Sequence, residues 1–314
     1  MEEPNFVEDL HAGLARSGQK ELPSKYLYDE VGSALFEVIC VVPEYGLTRA
    51  DTRLLQRYAE TWTAQLPDKL LVAELGSGSS KKTRLILEPL SRRQPTRYFP
   101  IDISAAALSQ CARELGEVPG LQVVGLNYEY LHGLREVTRQ RKDGERLLLL
   151  FLGSTIGNFD RQSGEQLMRS VRELLLPGDL MLLSSDLVKP EASLLLAYDD
   201  TAGVTAAFNK NVLARINREM GGDFDVSQFQ HVARWNAAHR RIEMHLLAQA
   251  DMTVRIEKAG LEIAIKRGET IKTEDSYKYE LDEVFEMARR AGFACVDRWL
   301  DPEWPFAQSL LRAA

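Results

Sequence analysis

The sequence has few cysteines and no long apolar run. Its 314 residues contain three cysteines, Cys40, Cys111 and Cys295, which are far apart and form no CxxC pair. This spacing argues against both a disulfide framework and a zinc site. The longest apolar run, Leu147 to Leu152, is far too short to cross a membrane, so no membrane partner is expected. The cysteine content fits a reducing cytoplasm.

The sequence also lacks a sustained basic run and metal-ligand motifs. The formal net charge is -7 without a sustained basic run, so the sequence lacks the charge pattern that tracks a phosphate backbone and predicts no nucleic-acid partner. The first residues, MEEPNFVEDLHAG, are acidic and mixed, so no secretory signal is expected. The five histidines include no HExxH motif, and we expect His239 and His245 to be solvated strand residues, which leaves no metal site.

Strand-like and helix-like segments alternate through the middle of the chain. Short apolar segments predict five strands, Leu70–Ala73, Arg97–Asp102, Gln122–Gly125, Leu147–Leu152 and Leu180–Ser184. Amphipathic stretches predict four helices, Asp51–Gln65, Ser79–Ser91, Ser104–Leu115 and Ser163–Leu175. Strand and helix units that repeat at this interval indicate an α/β fold with a parallel, doubly wound sheet and right-handed crossovers.

The pattern changes near residue 190. Residues 190 to 220 predict helices, and residues 232 to 278 alternate apolar and polar side chains as antiparallel hairpins do. The α/β character then returns with a helix that Gly292 ends. Two strands follow, Ala294–Leu300 and Phe306–Leu311, and we expect the last of them to insert antiparallel into the sheet.

A glycine turn follows the first predicted strand and opens a helix. Gly76, Ser77 and Gly78 let the backbone approach a ligand and present free N–H groups, although a tight turn without a ligand has the same pattern. The missing third glycine and the acidic Glu74 disfavour a pyrophosphate. Asp102 ends the next strand, where its carboxylate can accept both hydroxyls of a ribose. S-adenosylmethionine satisfies both observations, whereas NAD satisfies only the second.

Ordered motifs run along the chain from Lys25-Tyr26-Leu27-Tyr28-Asp29 to Thr273-Glu274-Asp275-Ser276. With these motifs the chain resembles a known family, the histidine-specific Nα-methyltransferases of ergothioneine biosynthesis. The resemblance covers nearly the whole chain through ordered motifs. These are Lys25-Tyr26-Leu27-Tyr28-Asp29, Gly32-Ser33-Ala34-Leu35-Phe36, Pro43-Glu44-Tyr45 with Thr48-Arg49, Glu74-Leu75-Gly76-Ser77-Gly78, Leu152-Gly153-Ser154-Thr155-Ile156-Gly157-Asn158, Ala197-Tyr198-Asp199-Asp200, Phe208-Asn209, Arg241-Ile242-Glu243-Met244 and Thr273-Glu274-Asp275-Ser276.

The resemblance implies a Rossmann-like class I methyltransferase sheet with an inserted α+β substrate-binding domain. Residues 50–188 and 279–314 are expected to form the S-adenosylmethionine-binding domain, and residues 1–49 and 189–278 the substrate-binding domain. By the same resemblance, Gly76, Lys82 and Asp102 contact the cofactor, S-adenosyl-L-methionine. The family commonly has Asp-Phe after its third strand, and here Asn127-Tyr128 corresponds to it. An amide oxygen still accepts a hydrogen bond from the adenine amine, so this departure concerns affinity.

The resemblance assigns the amino acid to Tyr45, Asn158, Tyr198, Glu274 and Ser276. Asn158 and Tyr198 are neutral donors suited to the substrate carboxylate. A neutral imidazole has one donor and one acceptor nitrogen, which a Glu-x-Ser pair on one strand face can meet: Glu274 accepts and Ser276 donates.

Two further residues complete the predicted site. Met244 is expected to pack its thioether against the substrate ring. Methyl transfer is an in-line displacement that needs an unprotonated nitrogen, and Tyr28 is expected to relay the amine proton through water as the catalytic residue. The sequence thus predicts an enzyme that converts L-histidine to Nα,Nα,Nα-trimethylhistidine (hercynine), most simply as a monomer.

Three alternatives stay open. The first is the same chemistry on another amino acid, such as tryptophan, which is disfavoured because an indole cannot use the serine and by the pair of Glu274 and Met244. A non-catalytic module that binds S-adenosylmethionine is the second. In the third, each of these side chains has an ordinary structural role, with Met244 in the core and Glu274 on a solvated strand face.

Overall fold

The computed structural model describes residues 5–314. Its helices are α1 Phe6–Leu14, α2 Glu30–Ile39, α3 Gly46–Thr63, α4 Arg84–Arg93, α5 Ala105–Leu115, α6 Tyr130–Arg139, α7 Arg161–Leu174, α8 Glu191–Tyr198, α9 Val204–Met220 and α10 Leu281–Arg290. Its strands are β1 Lys20–Glu21, β2 Leu70–Leu75, β3 Thr96–Ile101, β4 Leu121–Val123, β5 Arg146–Phe151, β6 Leu180–Asp186, β7 Phe229–Asn236, β8 Arg241–Ala248, β9 Met252–Ile256, β10 Leu261–Ile265, β11 Thr270–Tyr277, β12 Phe293–Leu300 and β13 Phe306–Ala313.

The chain divides into two compact units. One, the seven-stranded unit, comprises Gly46–Lys189 and Tyr277–Ala314. The other, the four-stranded unit, comprises the described residues up to Tyr45 together with Pro190–Ser276. Within residues 5–314, no helix combines the length and the apolar character that a membrane span requires.

The seven-stranded unit contains a sheet with the strand order β12-β13-β6-β5-β2-β3-β4. The neighbours from β6 to β4 pair in parallel, whereas β13 pairs antiparallel with both β6 and β12. The predicted α/β fold with a doubly wound sheet and an inserted antiparallel last strand is therefore confirmed. Every residue of β2 is buried, and alternate residues enter the cores on the two faces of the sheet, with Leu71 and Ala73 in one and Leu70 and Val72 in the other. Burial on both faces explains why these strands are continuous apolar runs.

Two helices of this unit differ from the sequence prediction. Helix α4 begins at Arg84 instead of Ser79, because the preceding residues continue the turn and the Thr83 hydroxyl bonds Glu74. Helix α6 was not predicted. It packs so closely that a Cβ on Gly133 would lie 2.4 Å from Ile101 Cγ2, and a glycine on the packed face weakens the apolar pattern by which a helix is recognised.

The four-stranded unit contains a sheet with the order β1-β11-β8-β7 and a separate hairpin of β9 and β10. Strands β7 and β8 form an antiparallel hairpin, whereas β1 pairs in parallel with β11. Helix α9 packs on β7 and β8 and buries polar residues together with apolar ones. The predicted hairpins are thus present, but the parallel addition of β1 was missed because two residues give no periodic signal.

The prediction that His245 is solvated was wrong. His245 is only 2% exposed. Its ring nitrogens lie 3.2 Å from Thr270 Oγ1 and 3.3 Å from Glu243 Oε2. Polar partners on neighbouring residues allow this imidazole to be buried, and strand alternation alone does not reveal them.

Candidate functional site

The glycine turn leaves strand β2 in a conformation that only glycine adopts readily. Gly76 has φ +66° and Gly78 has φ +52°. The expectation that the turn presents free N–H groups was wrong for three of its residues. The N–H groups of Gly76 and Ser77 point at Ile101 O, at 2.9 and 3.4 Å, and the Gly78 N–H donates to Asp102 Oδ2 at 2.9 Å. The turn that follows β2 is therefore held by hydrogen bonds to the end of β3.

The same turn has room and an unused polar atom for a ligand. A Cβ placed on Gly78 would meet no described atom within 4 Å. The Ser77 side chain is buried, and its Oγ has no hydrogen-bond partner within residues 5–314. A buried hydroxyl usually has a partner, so these residues fit a polar ligand that approaches the turn.

Asp102 lies at the end of β3 beside this turn. Its carboxylate accepts the backbone N–H groups of Gly78 and Ser104, each at 2.9 Å, while burial raises the pKa of Asp102. Asn127 donates its Nδ2 to Asp102 O at 3.0 Å, so its amide oxygen is the atom that can accept. Tyr128 is 40% exposed and stacks on His132 with 4.3 Å between ring centroids.

Lys82 belongs to a buried polar cluster that the sequence analysis did not find. Its Nζ lies 2.6 Å from Asp51 Oδ2. Asp51 is fully buried and also accepts the Gly153 N–H at 2.9 Å, the Ser184 hydroxyl at 2.6 Å and Gln308 Nε2 at 2.6 Å. Although burial raises the pKa of Asp51, the ammonium and these donors hold it below its ordinary value. Asp51 therefore fixes Lys82 near the end of β5.

The position of Asp51 in the sequence indicates that its side chain is buried. It stands four residues after Leu47 and four before Leu55, both of which are buried in α3. Residues four apart share one face of a helix. An acid on an apolar face needs a buried partner, so this position pointed to a polar cluster.

Two more residues near the turn were not assigned. Glu74, at the end of β2, accepts the Thr83 hydroxyl at 2.8 Å and the Tyr98 hydroxyl, and burial raises its pKa to about 7. Tyr130, in the unpredicted helix α6, has its Oη 3.2 Å from the place where a Cβ on Gly76 would lie. Glu74 supports the turn from the core, and Tyr130 packs beside it.

In the four-stranded unit, an aromatic cluster gathers three of the predicted site residues. Tyr45 and Tyr198 meet edge to face with centroids 5.9 Å apart. Phe36 lies 6.4 Å from Tyr45 and 5.5 Å from Tyr28, and so connects the two. Burial, together with the nearby Tyr198, raises the pKa of Tyr45 well above its ordinary value, and the charge of Glu274 adds to this effect. The Tyr45 hydroxyl therefore remains protonated at neutral pH.

Strand β11 contributes polar groups to the same cluster. Ser276 Oγ lies 2.7 Å from Tyr198 Oη, and both side chains are buried. Glu274 is two residues earlier on the same face of the strand and is partly exposed. Met244, on β8, is 2% exposed. Asn158 belongs to the seven-stranded unit, where it ends a 3₁₀ turn after β5.

Two features define the class of protein. One is the seven-stranded sheet with its antiparallel last strand, and the other is the two-glycine turn that bonds Asp102 at the end of β3. Together they define a class I S-adenosylmethionine-dependent methyltransferase. The family of histidine-specific, S-adenosylmethionine-dependent methyltransferases matches residues 6–313, and the chain belongs to this family. The family predicted from the sequence motifs is therefore confirmed.

Three curated relatives extend the comparison. The histidine N-alpha-methyltransferase of Mycobacterium tuberculosis is 43% identical over 305 residues, which cover 96% of this chain and 93% of the relative. That of Mycolicibacterium smegmatis is 40% identical with the same coverage. Ergothioneine biosynthesis protein 1 of Schizosaccharomyces pombe is 30% identical over 303 residues, which cover 93% of this chain and 38% of that protein.

Proposed function

We propose that this chain transfers methyl groups from S-adenosylmethionine to the α-amino nitrogen of L-histidine and forms Nα,Nα,Nα-trimethylhistidine (hercynine) for ergothioneine biosynthesis. Membership of the histidine-specific family is the main support. The observation that adds most to it is the grouping of Tyr45, Tyr198 and Ser276 in one buried cluster beside Glu274. Such a cluster combines an apolar wall with few polar groups, which is typical of a small-molecule site.

The cofactor is assigned to the turn after β2. When bound, it supplies an electrophilic methyl group on a positive sulfonium. We assign Ser77, with its unpartnered hydroxyl, and the open space over Gly78 to the cofactor's polar groups, and Asp102 to the ribose hydroxyls. Asn127 and Tyr128 are assigned to the adenine, which an amide oxygen and an exposed ring suit. We assign Gly76 to the shape of the turn. We assign Lys82, whose ammonium lies beside Gly153, to a contact with the cofactor.

The amino acid is assigned to the four-stranded unit and to Asn158. Tyr198 and Asn158 are neutral donors for the substrate carboxylate, so no further cation stands near the sulfonium. Glu274 accepts the imidazole N–H and Ser276 donates to the other ring nitrogen. The buried Met244 packs against the ring, and Tyr45 closes the aromatic wall.

The nitrogen must be unprotonated when it attacks. An ammonium group that loses water among aromatic rings, near a positive sulfonium, has a lowered pKa because both effects disfavour its charged form. Tyr28 is assigned to pass the released proton to solvent through water. Its ring is held edge to face by Phe36 and Phe208, at 5.5 and 5.4 Å, so its hydroxyl has a fixed direction.

The same proposal covers the organisation of the chain. We assign cofactor binding to residues 50–188 and 279–314, and substrate binding to residues 1–49 and 189–278. We also propose that the chain acts as a monomer. The scarcity of cysteine supports a cytoplasmic location.

The test is methylation of histidine by the purified chain, followed by mass spectrometry of the amino acid. The proposal predicts products with one, two and finally three added methyl groups, and a higher kcat/KM for histidine than for tryptophan. A preference for tryptophan would transfer the proposal to that substrate. Cofactor binding with no methylated amino acid would identify a non-catalytic module instead.

A further inference from the structure

A closed circuit of hydrogen bonds lies behind the aromatic cluster of the four-stranded unit. Tyr198 enters it twice: its Oη lies 2.7 Å from Ser276 Oγ, and its carbonyl oxygen lies 2.8 Å from His231 Nε2. His231 Nδ1 lies 2.9 Å from Asn209 Nδ2. Asn209 Oδ1 accepts the Thr273 hydroxyl at 2.5 Å, and strand β11 closes the circuit from Thr273 to Ser276.

The donors on Asn209 and His231 in this circuit are determined by their partners. Asn209 Nδ2 also lies 3.1 Å from the carbonyl oxygen of His245, which can only accept, and this contact fixes the orientation of the amide. His231 Nδ1 must therefore accept from Asn209. The ring proton is on Nε2 and donates to the Tyr198 carbonyl, and burial lowers the pKa of His231, which keeps the ring neutral.

Asn209 and His231, two members of the circuit that are not assigned to the substrate, are buried. Asn209 is 0% exposed and His231 is 5% exposed. Helix α9 supplies Asn209 and strand β7 supplies His231, so the circuit joins the end of α8 to β11 through two other elements. A buried network in which every member has its partners allows one arrangement of the groups it connects.

We infer that Asn209 and His231 are positioning residues that hold Tyr198 against β11 and so fix Glu274 and Ser276 for the imidazole of the substrate. The inference rests on the proposed function, because that proposal assigns Tyr198, Glu274 and Ser276 to the amino-acid substrate. Neither residue touches substrate. Both act through the backbone of Tyr198 and the hydroxyl of Thr273, one residue before Glu274.

Three variants test the inference, with histidine methylation and binding of S-adenosylhomocysteine both measured. His231→Leu removes both hydrogen bonds of the ring. His231→Gln keeps an acceptor and a donor on one planar group. His245→Leu removes a second buried imidazole, on the neighbouring strand, whose ring is outside the circuit and bonds Thr270 and Glu243 instead.

We expect His231→Leu to raise KM for histidine by about tenfold or more, the equivalent of one lost hydrogen bond, with kcat largely retained. His231→Gln should restore most of this loss, and His245→Leu should leave KM unchanged even where it lowers the melting temperature. Affinity for S-adenosylhomocysteine should stay at the wild-type value in all three variants.

Other results would distinguish a failure of the positioning role from a failure of the proposed function. If the wild-type chain methylates histidine and His231→Leu has a wild-type KM, or loses no more than His245→Leu, the positioning role is wrong while the proposed function stands. Equal losses in His231→Leu and His231→Gln also contradict it, because the hydrogen bonds would then be irrelevant. If the wild-type chain does not methylate histidine, both proposals fail together.

Discussion

At the scale of single residues, two serines provide a matched comparison. Ser77 in the glycine turn and Ser185 in β6 are both buried, and neither hydroxyl has a partner in the part of the chain that the structure describes. An unsatisfied buried hydroxyl costs free energy, so its removal does not destabilise a protein in the way that breaking a hydrogen bond does. Only Ser77 is assigned to a ligand.

We therefore expect Ser77→Ala to leave the melting temperature unchanged or slightly raised, while affinity for S-adenosylhomocysteine falls by about two- to tenfold, the value of one neutral hydrogen bond. Isothermal titration and thermal unfolding measure the two quantities. Ser185→Ala should keep both the stability and the affinity. Equal affinity in wild type and Ser77→Ala would remove the serine from the cofactor site.

Glu274 gives a prediction about the substrate. Glu274→Ala removes the acceptor of the imidazole N–H, and a hydrogen bond to a charged group is worth about 1.5–3 kcal/mol, so KM for histidine should rise by about ten- to hundredfold. Steady-state kinetics measure this change. The control is Glu262→Ala, which removes an exposed strand carboxylate of the same unit that pairs with the exposed Arg255. Unchanged kinetics in Glu274→Ala would contradict the assignment.

At the scale of elements, the end of β2 makes stability depend on pH. Burial raises the pKa of Glu74 from its ordinary value of 4.5 to about 7, so the folded state binds more protons than the unfolded state between these pH values. The contribution of Glu74 to the unfolding free energy is therefore highest below pH 4.5 and declines as pH rises to 7, by about 3 kcal/mol. Above pH 7 it no longer changes.

Glu74→Gln removes this titration and keeps the shape of the side chain. Relative to the variant, the wild-type chain should lose about 3 kcal/mol of unfolding free energy as pH rises from about 4.5 to 7. Urea unfolding at several pH values measures the difference. Parallel profiles for the two proteins would show that Glu74 titrates at its ordinary pKa in the folded state.

The Asp51 cluster ties several elements together, because its partners lie in the loop after β5, in β6 and in β13. Asp51→Asn should cost about 3 kcal/mol of unfolding free energy, since it leaves Lys82 without its carboxylate. Adding Lys82→Met to that variant should cost less than Lys82→Met does in wild type, by at least about 1 kcal/mol. Strictly additive losses in urea unfolding would mean that the two charges are not coupled.

The elements that the sequence predicted are those whose apolar pattern is decided locally. From Leu147 onwards, strand β5 is an uninterrupted apolar run, and the Ser104 side chain caps α5 by accepting the Ala107 N–H. Helix α6 and the start of α4 were missed because a close packing glycine and a long turn depend on distant partners. The burial of His245 and the role of Asp51 depend on side chains far along the chain, and periodicity does not register them.

At the scale of the whole molecule, the family motifs assigned more residues to the candidate site than periodicity did. Tyr45, Tyr198 and Ser276 are far apart in sequence and read alone as ordinary packing residues; the motif order grouped them. The circuit through Asn209 and His231 could not be predicted in this way. The circuit depends on which carbonyl oxygen each side chain bonds once α8, α9, β7 and β11 have packed together. No local sequence pattern predicts these hydrogen bonds.

The central claim is that the methyl groups go to the α-nitrogen of histidine. The most direct measurement is NMR of the product formed from histidine and S-adenosylmethionine carrying a 13C-labelled methyl group. We predict that the final product shows one resonance from three equivalent methyl groups, correlated with the α-carbon. A labelled methyl correlated with the imidazole ring carbons, or no labelled histidine at all, would contradict the account.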